Sequence, residues 1–422
     1  VHAVARDRFL IQFVSPVIVP DKRDKLTITT EQGSTFSFRA DIDDEFASKD
    51  GLVQARLPDN DTSGDASRLN DLLTLLRKSQ HINICNNEDV EAKDKYTGFS
   101  DVRLMPCALP DFDFADIDTR TQFLGRTFEW PLLITGMTGG LEQGAAINLR
   151  LARAASRFGI PMGVGSQRIA LENPDYERIF AVKESVPDVF LIGNIGMAQL
   201  REKDPVAICR RAVRMIEADA LAIHLNLLQE LIQVEGDRHF RGIAAVIADI
   251  AAGLDVPLIV KEVGCGIDPV TARTLLSSGV AAIDCGGKGG TSWSYIEGLR
   301  AQSNITRSLG ATFRDWGIPT AVSTILLRRN FPEATLIATG GIRDGITAAS
   351  AVAVGASMAG IGLPLLRAAV KSEDAVTDVL AEMTTGLRIA MAASGARTLS
   401  DLRGRARLKS ALQEQIREFS ET

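Results

Sequence analysis

From about residue 130 onward, short apolar runs alternate with amphipathic stretches. The runs are PLLITG (131–136), MGVG (162–165), FLIGNIG (190–196), ALAIHLN (220–226), PLIVKEV (257–263), AAIDCGG (281–287), TLIATGG (335–341) and SMAGIG (357–362). Parallel strands covered on both faces read this way, because no polar face has to alternate with the apolar one. Between the runs, AAINLRLARAASRF (145–158) places Ile147, Leu151 and Ala154 on one helical face, and FRGIAAVIADIAAGL (240–254) and DPVTARTLLSSG (268–279) behave alike. Asp268 and Asn173 stand as caps, each before a proline at the first helical position. Strand and helix repeated eight times predict an α/β fold, a closed (β/α)8 TIM barrel. The other arrangement, an open doubly wound sheet, wants GxGxxG after its first strand, and GMTGG (136–140) is not that pattern. C-terminal helices are expected over DAVTDVLAEMTTGLRIAMAAS (374–394) and SDLRGRARLKSALQEQIREF (400–419).

The first 70 residues read differently. KLTITTEQGSTFSFRAD (25–41) alternates polar and apolar residues about Gln32-Gly33 and predicts a β-hairpin. DIDDEFASKDG (41–51) and LPDNDTSGDAS (57–67) are acidic and turn-rich, as loops or partly disordered segments are. Residues 1–70 are therefore expected to be an N-terminal extension and 71–422 the barrel domain. The extension is a flexible tail, a lid or an interface element; its composition does not choose among them.

With 422 residues, 45% of them hydrophobic, the chain can bury a large core. A net charge of -6 argues against a nucleic-acid partner, whose binding needs an excess of Lys and Arg. The five cysteines are widely spaced and contain no CxxC pair, which predicts reduced thiols in a cytoplasmic setting. No apolar run reaches the roughly 18 residues of a membrane helix, so no membrane insertion is expected. VHAVARDRFL does not resemble a signal peptide, and since the chain opens on Val1 an earlier start is expected.

In such a barrel the chemistry sits just beyond the carboxyl ends of the strands. Those positions hold Met137-Thr138-Gly139-Gly140, Ser166-Gln167-Arg168, Asn194, the cluster His224, Asn226, Gln229 and Glu230, then Lys261-Glu262, GGKGGTSW (286–293), Gly340-Gly341-Ile342-Arg343 and Ala359-Gly360. Glycines after the seventh and eighth strands let backbone N–H groups approach a phosphate, although ordinary tight turns use them too. Lys261 ends an otherwise apolar strand. There it faces an anionic group, such as the N1–C2=O edge of a reduced flavin, or it pairs with a neighbouring carboxylate. The His224–Glu230 cluster can orient substrate oxygens and hold Mg2+ against a diphosphate, or merely cap a helix. Arg77-Lys78 and His81 can clamp a diphosphate, or form a solvated basic helix end.

Together these residues resemble the type 2, FMN-dependent isopentenyl-diphosphate isomerases. The resemblance runs from about Leu76 to Leu402 through RKxxHI (77–82), TGFSDVRL (97–104), ALPDFDFADIDTRTQFLGR (108–126), GMTGG (136–140), MGVGSQRIALENP (162–174), HLNLLQELIQVEGDRHFRG (224–242), VKEVGCGI (260–267), GGTSW (289–293), DWGIPTA (315–321) and TGGIRDG (339–345). It implies that FMN rests against Gly136, Met137 and Thr138, with Ser166, Asn194, Lys261 and Thr291 reaching its ring and ribityl chain. Gly341, Arg343, Ala359 and Gly360 would take its phosphate. The substrate diphosphate would meet Arg77, Lys78, His81, Ser166, Gln167 and Arg168. His224, Asn226 and Gln229 would be the catalytic group, Gln229 facing the carbon skeleton, and Glu230 would hold Mg2+. The implied reaction interconverts isopentenyl and dimethylallyl diphosphate with no net electron flow, reduced FMN acting as acid and base and NADPH only reducing it. The family forms homo-oligomers, tetramers or octamers.

Three features depart from the family pattern. Residues 1–70 have no counterpart in it. Ser79-Gln80 stand where an acidic pair is usual. Lys288 interrupts a glycine-rich turn, where it could add a phosphate contact or point outward. The alternatives are a reduced-flavin enzyme acting on a different or longer prenyl substrate, and a non-catalytic flavin-barrel scaffold. A flavin-dependent 2-hydroxy-acid oxidase is disfavoured, because no histidine follows His239 to serve as base near the sixth and seventh strands.

Overall fold

The computed structural model describes residues 2–5, 8–12, 25–29, 35–39, 41–42, 52–56, 65–137 and 142–420. The chain divides into two compact units, 1–81 and 82–422, later than the boundary at 70 that composition suggested. In the first unit Lys25–Thr29 pairs antiparallel with Thr35–Arg39, Thr29 opposite Thr35, which is the hairpin expected from alternation. Its turn, and most of the two acidic segments, lie outside the described residues. A four-stranded sheet runs in the order His2–Ala5, Arg8–Gln12, Leu52–Arg56, Asp41–Ile42. The helix Asp65–Asn87 follows.

In the second unit all eight apolar runs are strands, closed into a parallel barrel. They are β1 (Leu132–Ile134), β2 (Met162–Gly163), β3 (Leu191–Gly196), β4 (Ala220–Leu225), β5 (Leu258–Glu262), β6 (Ala282–Asp284), β7 (Thr335–Thr339) and β8 (Met358–Ile361). Side chains alternate across the wall. Leu133, Ile192, Ala222, Ile259, Ala282, Ile337 and Met358 meet inside. Leu221, Ile223, Leu258, Val260, Ile283 and Leu336 pack outward in the layer shared with the helices. This period of two fixes what faces the mouth: after the inward Ile192, Ala222, Ile259, Ala282 and Ile337 come Asn194, His224, Lys261, Asp284 and Thr339.

The lower end of the barrel is closed by aromatic rings. A hairpin, Thr121–Phe123 with Arg126–Phe128, sends Phe123 and Phe128 against Phe190 at the start of β3. Phe128 and Phe190 meet edge-on with centroids 5.3 Å apart. The two-residue turn has positive φ at both positions, Leu124 at 48° and Gly125 at 80°, the twist that a tight hairpin needs. Sealing this end leaves the opposite, carboxyl-terminal mouth for chemistry.

Asp268 caps its helix as expected, accepting the N–H groups of Val270 and Thr271. Asn173 accepts the N–H of Asp175, but opens a 3-10 helix, Pro174–Ile179. The expected helix over 374–394 is Glu373–Ala393. The expected helix over 400–419 is not continuous. It breaks into Leu399–Arg403, a strand Ala406–Leu408 and Ser410–Glu418, because Ala406–Leu408 pairs with Val102–Leu104 from the far end of the unit. All five cysteines are free. No described helix is long and apolar enough to cross a membrane.

Candidate active site

Beneath the mouth lies a pocket floored by Leu133, Ile192, Ile259 and Ile337 and walled by Gly136, Asn194, Lys261 and Asp284. His224, Lys261 and Asp284 are register neighbours across β4, β5 and β6. The wall is organised by one chain of hydrogen bonds. Asn194 donates through Nδ2 to the Val164 carbonyl at 2.9 Å, and its Oδ1 lies 2.8 Å from His224 Nδ1. A carbonyl can only accept, so Asn194 Oδ1 is the acceptor for His224, and the proton sits on Nδ1. The ring is thereby fixed at the end of β4 with one tautomer defined.

After β4 the chain turns into the short helix Leu227–Ile232. Asn226 is buried. Its Nδ2 donates to Glu230 Oε1 at 2.8 Å and to Gln229 Oε1 at 3.4 Å, while its Oδ1 finds no protein partner. Gln229 Nε2 donates to Glu297 Oε1 at 2.8 Å. Glu297, on the helix Trp293–Arg300, is 2% exposed, and Arg300 bonds its other oxygen and Glu235. The cluster proposed from sequence is thus two hydrogen-bonded groups: His224 is tied to Asn194, and Asn226, Gln229 and Glu230 form a second group extended by Glu297 and Arg300, which sequence reasoning missed. A buried polar network of this kind rigidifies its members when each is satisfied. The unpaired oxygen of Asn226 is the member left for a ligand.

Glu262, which the sequence places at the end of β5 beside Lys261, takes a structural part. It points outward from β5 and accepts the N–H groups of Val263, Gly264 and Cys265 at 2.6, 2.7 and 2.5 Å. Burial pushes its carboxyl up to about 7, against the pull of those three N–H groups and of Lys261. The loop it holds lines a pocket with Gln229, Trp293 and Trp316. Lys261 Nζ does not bond the Glu262 carboxylate; it donates to the Glu262 carbonyl at 2.9 Å.

The other candidate residues are placed unequally. Met137 packs beneath Gly362, joining the ends of β1 and β8, whereas Thr138 lies outside the described residues. Ser166 is half-buried at the exit of β2. Gln167 is fully buried, with Nε2 donating to the Ala212 carbonyl at 2.9 Å and Oε1 accepting the Asn194 N–H at 2.8 Å. Both ends of its amide are engaged by backbone, so it braces Asn194 in this structure and does not face the mouth. Arg168 pairs with Glu172 at 2.8 Å. Thr291 bridges to Glu91, and the same Glu91 accepts from Arg343, at 2.9 Å from Nε. Ala359 and Gly360 lie within β8, not in the turn after it; Ala359 donates its N–H to Pro131, and the following helix starts at Leu363 behind Gly362. Arg77, Lys78 and His81 sit on the helix Asp65–Asn87. Lys288 neither meets the phosphate turn nor points outward: it bonds Asp94 at 2.6 Å, beneath the Tyr96 ring.

A flavin nucleotide fits this mouth. Its ring would lie on an apolar floor, with Lys261 as the cation in the wall. Gly340 and Gly341, at φ 118° and 75°, present bare backbone, since a Cβ there would come within 2.2 Å of Gly287 O or Thr97 Cγ2. The start of the helix Leu363–Lys371 adds its partial positive charge for a phosphate.

The profile of the FMN-dependent dehydrogenase family matches residues 77–185 and 230–409. The unmatched interval holds β3, β4, Asn194, His224, Asn226 and Gln229, so most of the cluster proposed from sequence lies outside that match. A mandelate oxidase mutant with benzaldehyde superposes with a TM-score of 0.54 at 18% identity, covering 78% of this chain and 94% of that one. At that identity the likeness concerns the fold alone. The isopentenyl-diphosphate delta-isomerase of Nostoc sp. is 46% identical over 318 residues, 74% of this chain and 91% of its own length. That of Methanoregula boonei is 47% identical over 341 residues, 79% and 93%. Since these relatives are matched nearly end to end, through the strands on which the dehydrogenase profile fails, the chain belongs to the isopentenyl-diphosphate delta-isomerase family.

Proposed function

We propose that this protein interconverts isopentenyl diphosphate and dimethylallyl diphosphate, with FMN as its cofactor. The observation that carries the reading is the pair of hydrogen-bonded groups at the end of β4, His224–Asn194 and Asn226–Gln229–Glu297, together with a cavity walled by Asn194 and Lys261. It replaces the histidine base that a 2-hydroxy-acid oxidase needs near β6 and β7. Bound and reduced, FMN supplies an acid and a base beside the alkene. The chain's own side chains do the rest. Lys261 places positive charge against the ring edge that becomes negative. Gln229, held by Glu297, faces the carbon skeleton with an amide. Asn226 Oδ1 and His224 orient the substrate, and Ser166 and Arg168 are assigned to the diphosphate.

Among the described residues no three His, Cys, Asp or Glu side chains form a metal cage. Mg2+ is therefore assigned to Glu230 together with the diphosphate and water, the usual way this ion is held. NADPH serves only to reduce the flavin. A cytoplasmic homo-oligomer, tetramer or octamer, is the proposed working form.

The test is an anaerobic assay with FMN, NADPH, Mg2+ and isopentenyl diphosphate, following dimethylallyl diphosphate by chromatography with mass detection. Product formed only with reduced flavin is the expected result. FMN-loaded protein without product would redirect the reading to longer prenyl diphosphates, and colourless protein would leave a scaffold. Lys261→Ala is expected to weaken FMN binding about tenfold, the loss of one charge-assisted contact of about 1.5 kcal/mol. An FMN titration with an unchanged dissociation constant and spectrum would remove Lys261 from the flavin site.

A further inference from the structure

Asp284 has no part in the roles assigned above. It is the inward residue at the end of β6, 2% exposed, and it walls the same cavity as Lys261. The two are register partners on adjacent strands. They are also the only charged side chains lining that cavity among the described residues. Yet they do not close into an ion pair. Lys261 Nζ donates to the Glu262 carbonyl at 2.9 Å, and Asp284 Oδ1 accepts the Gly286 N–H at 3.2 Å. Glu262, the other carboxylate near Lys261, is turned outward onto three backbone N–H groups. Asp284 is therefore the buried carboxylate beside Lys261 in the wall of the cavity assigned to the flavin ring.

We propose that Asp284 is a positioning residue for the charge of Lys261. It shares that charge with the bound flavin, and so sets how strongly the site prefers reduced over oxidised FMN. The proposal rests on the FMN reading above. In a buried wall the attraction between two opposite charges is weakly screened, so a carboxylate one strand away competes with a flavin anion for the lysine's charge. Once the ring carries negative charge, Lys261 interacts with two anions, and the buried carboxylate offsets part of what the lysine contributes. Burial pushes the Asp284 carboxyl upward, while Lys261, Thr339 and the Gly286 N–H pull it back toward the charged form.

The experiment is the midpoint potential of bound FMN, measured anaerobically in the holoenzyme for wild type, Asp284→Asn, Lys261→Met and the double variant. Asp284→Asn is expected to shift the ratio of reduced to oxidised affinity at least about tenfold toward reduced FMN, a rise of about 30 mV for the two-electron couple. The shift should vanish in the Lys261→Met background, because it acts through that lysine. An FMN-loaded Asp284→Asn with the wild-type potential overturns the proposal, as does an undiminished shift without Lys261. Asp284→Ser, which removes the charge with a smaller group, is the second variant; if neither variant folds, Asp284 is structural and the proposal falls. Wild-type protein that binds no FMN would sink the functional reading instead, which keeps the two failures apart.

Discussion

Gln229→Ala lowers turnover by about two to four orders of magnitude, the range a group acting beside a proton transfer contributes, and leaves FMN binding unchanged. The split follows from position. Gln229 lies on the helix after β4 and does not line the cavity assigned to the ring. Its loss removes the hydrogen bond to Glu297 at 2.8 Å, but Arg300 still holds that carboxylate. The fold should lose about 1–3 kcal/mol, the penalty of one buried acceptor left short of a donor. Gln229→Glu is the harsher change, since it sets two carboxylates where the amide and Glu297 now bond. Anaerobic steady-state kinetics, with FMN absorbance recorded on the same samples, separate the two effects. Unchanged turnover would remove Gln229 from the mechanism.

Gly136→Ala abolishes FMN binding, through backbone and not through a lost contact. A Cβ at this position would lie 1.9 Å from the Val164 carbonyl oxygen and 2.6 Å from its carbon. Neither atom can rotate away. The strand ends of β1 and β2 must separate, and that same carbonyl anchors Asn194, which anchors His224. Overpacking of this kind costs about 1–3 kcal/mol or more, and here it disrupts the wall of the cavity directly. Gly242→Ala is the control. Its φ of 84° penalises a side chain by about 1–2 kcal/mol, yet nothing lies within 4 Å of the added Cβ. It should lose some thermal stability and keep its flavin. Thermal melts and FMN titration of both variants check this, and a Gly136→Ala protein that binds FMN normally would sink the argument.

The barrel was legible because each of its strands is a local apolar run, and a closed layer of parallel strands needs no other signal. The cluster His224 to Glu230 was legible because its members fall at one strand end within seven residues. Elsewhere, local pattern misled. SDLRGRARLKSALQEQIREF has helical character throughout, but a strand partner some three hundred residues away interrupts it at Ala406–Leu408. Gln167 stands between Ser166 and Arg168, and so shared the role expected of them. The fold turns it into the wall, where backbone groups of Ala212 and Asn194 satisfy its amide.

By itself, then, the sequence determined the number and order of the strands and the grouping of His224, Asn226, Gln229 and Glu230 at one strand end, all of which follow from spacing along one segment. The tertiary structure alone decided the partners. Gln229 meets Glu297 across 68 residues, Lys288 meets Asp94 across 194, and Arg343 meets Glu91 across 252. The physical reason is that periodicity records which face of an element is buried, whereas a hydrogen bond or ion pair depends on where another element's side chain arrives. That arrival is set by barrel closure and helix packing, and it leaves no trace in the local pattern of either residue.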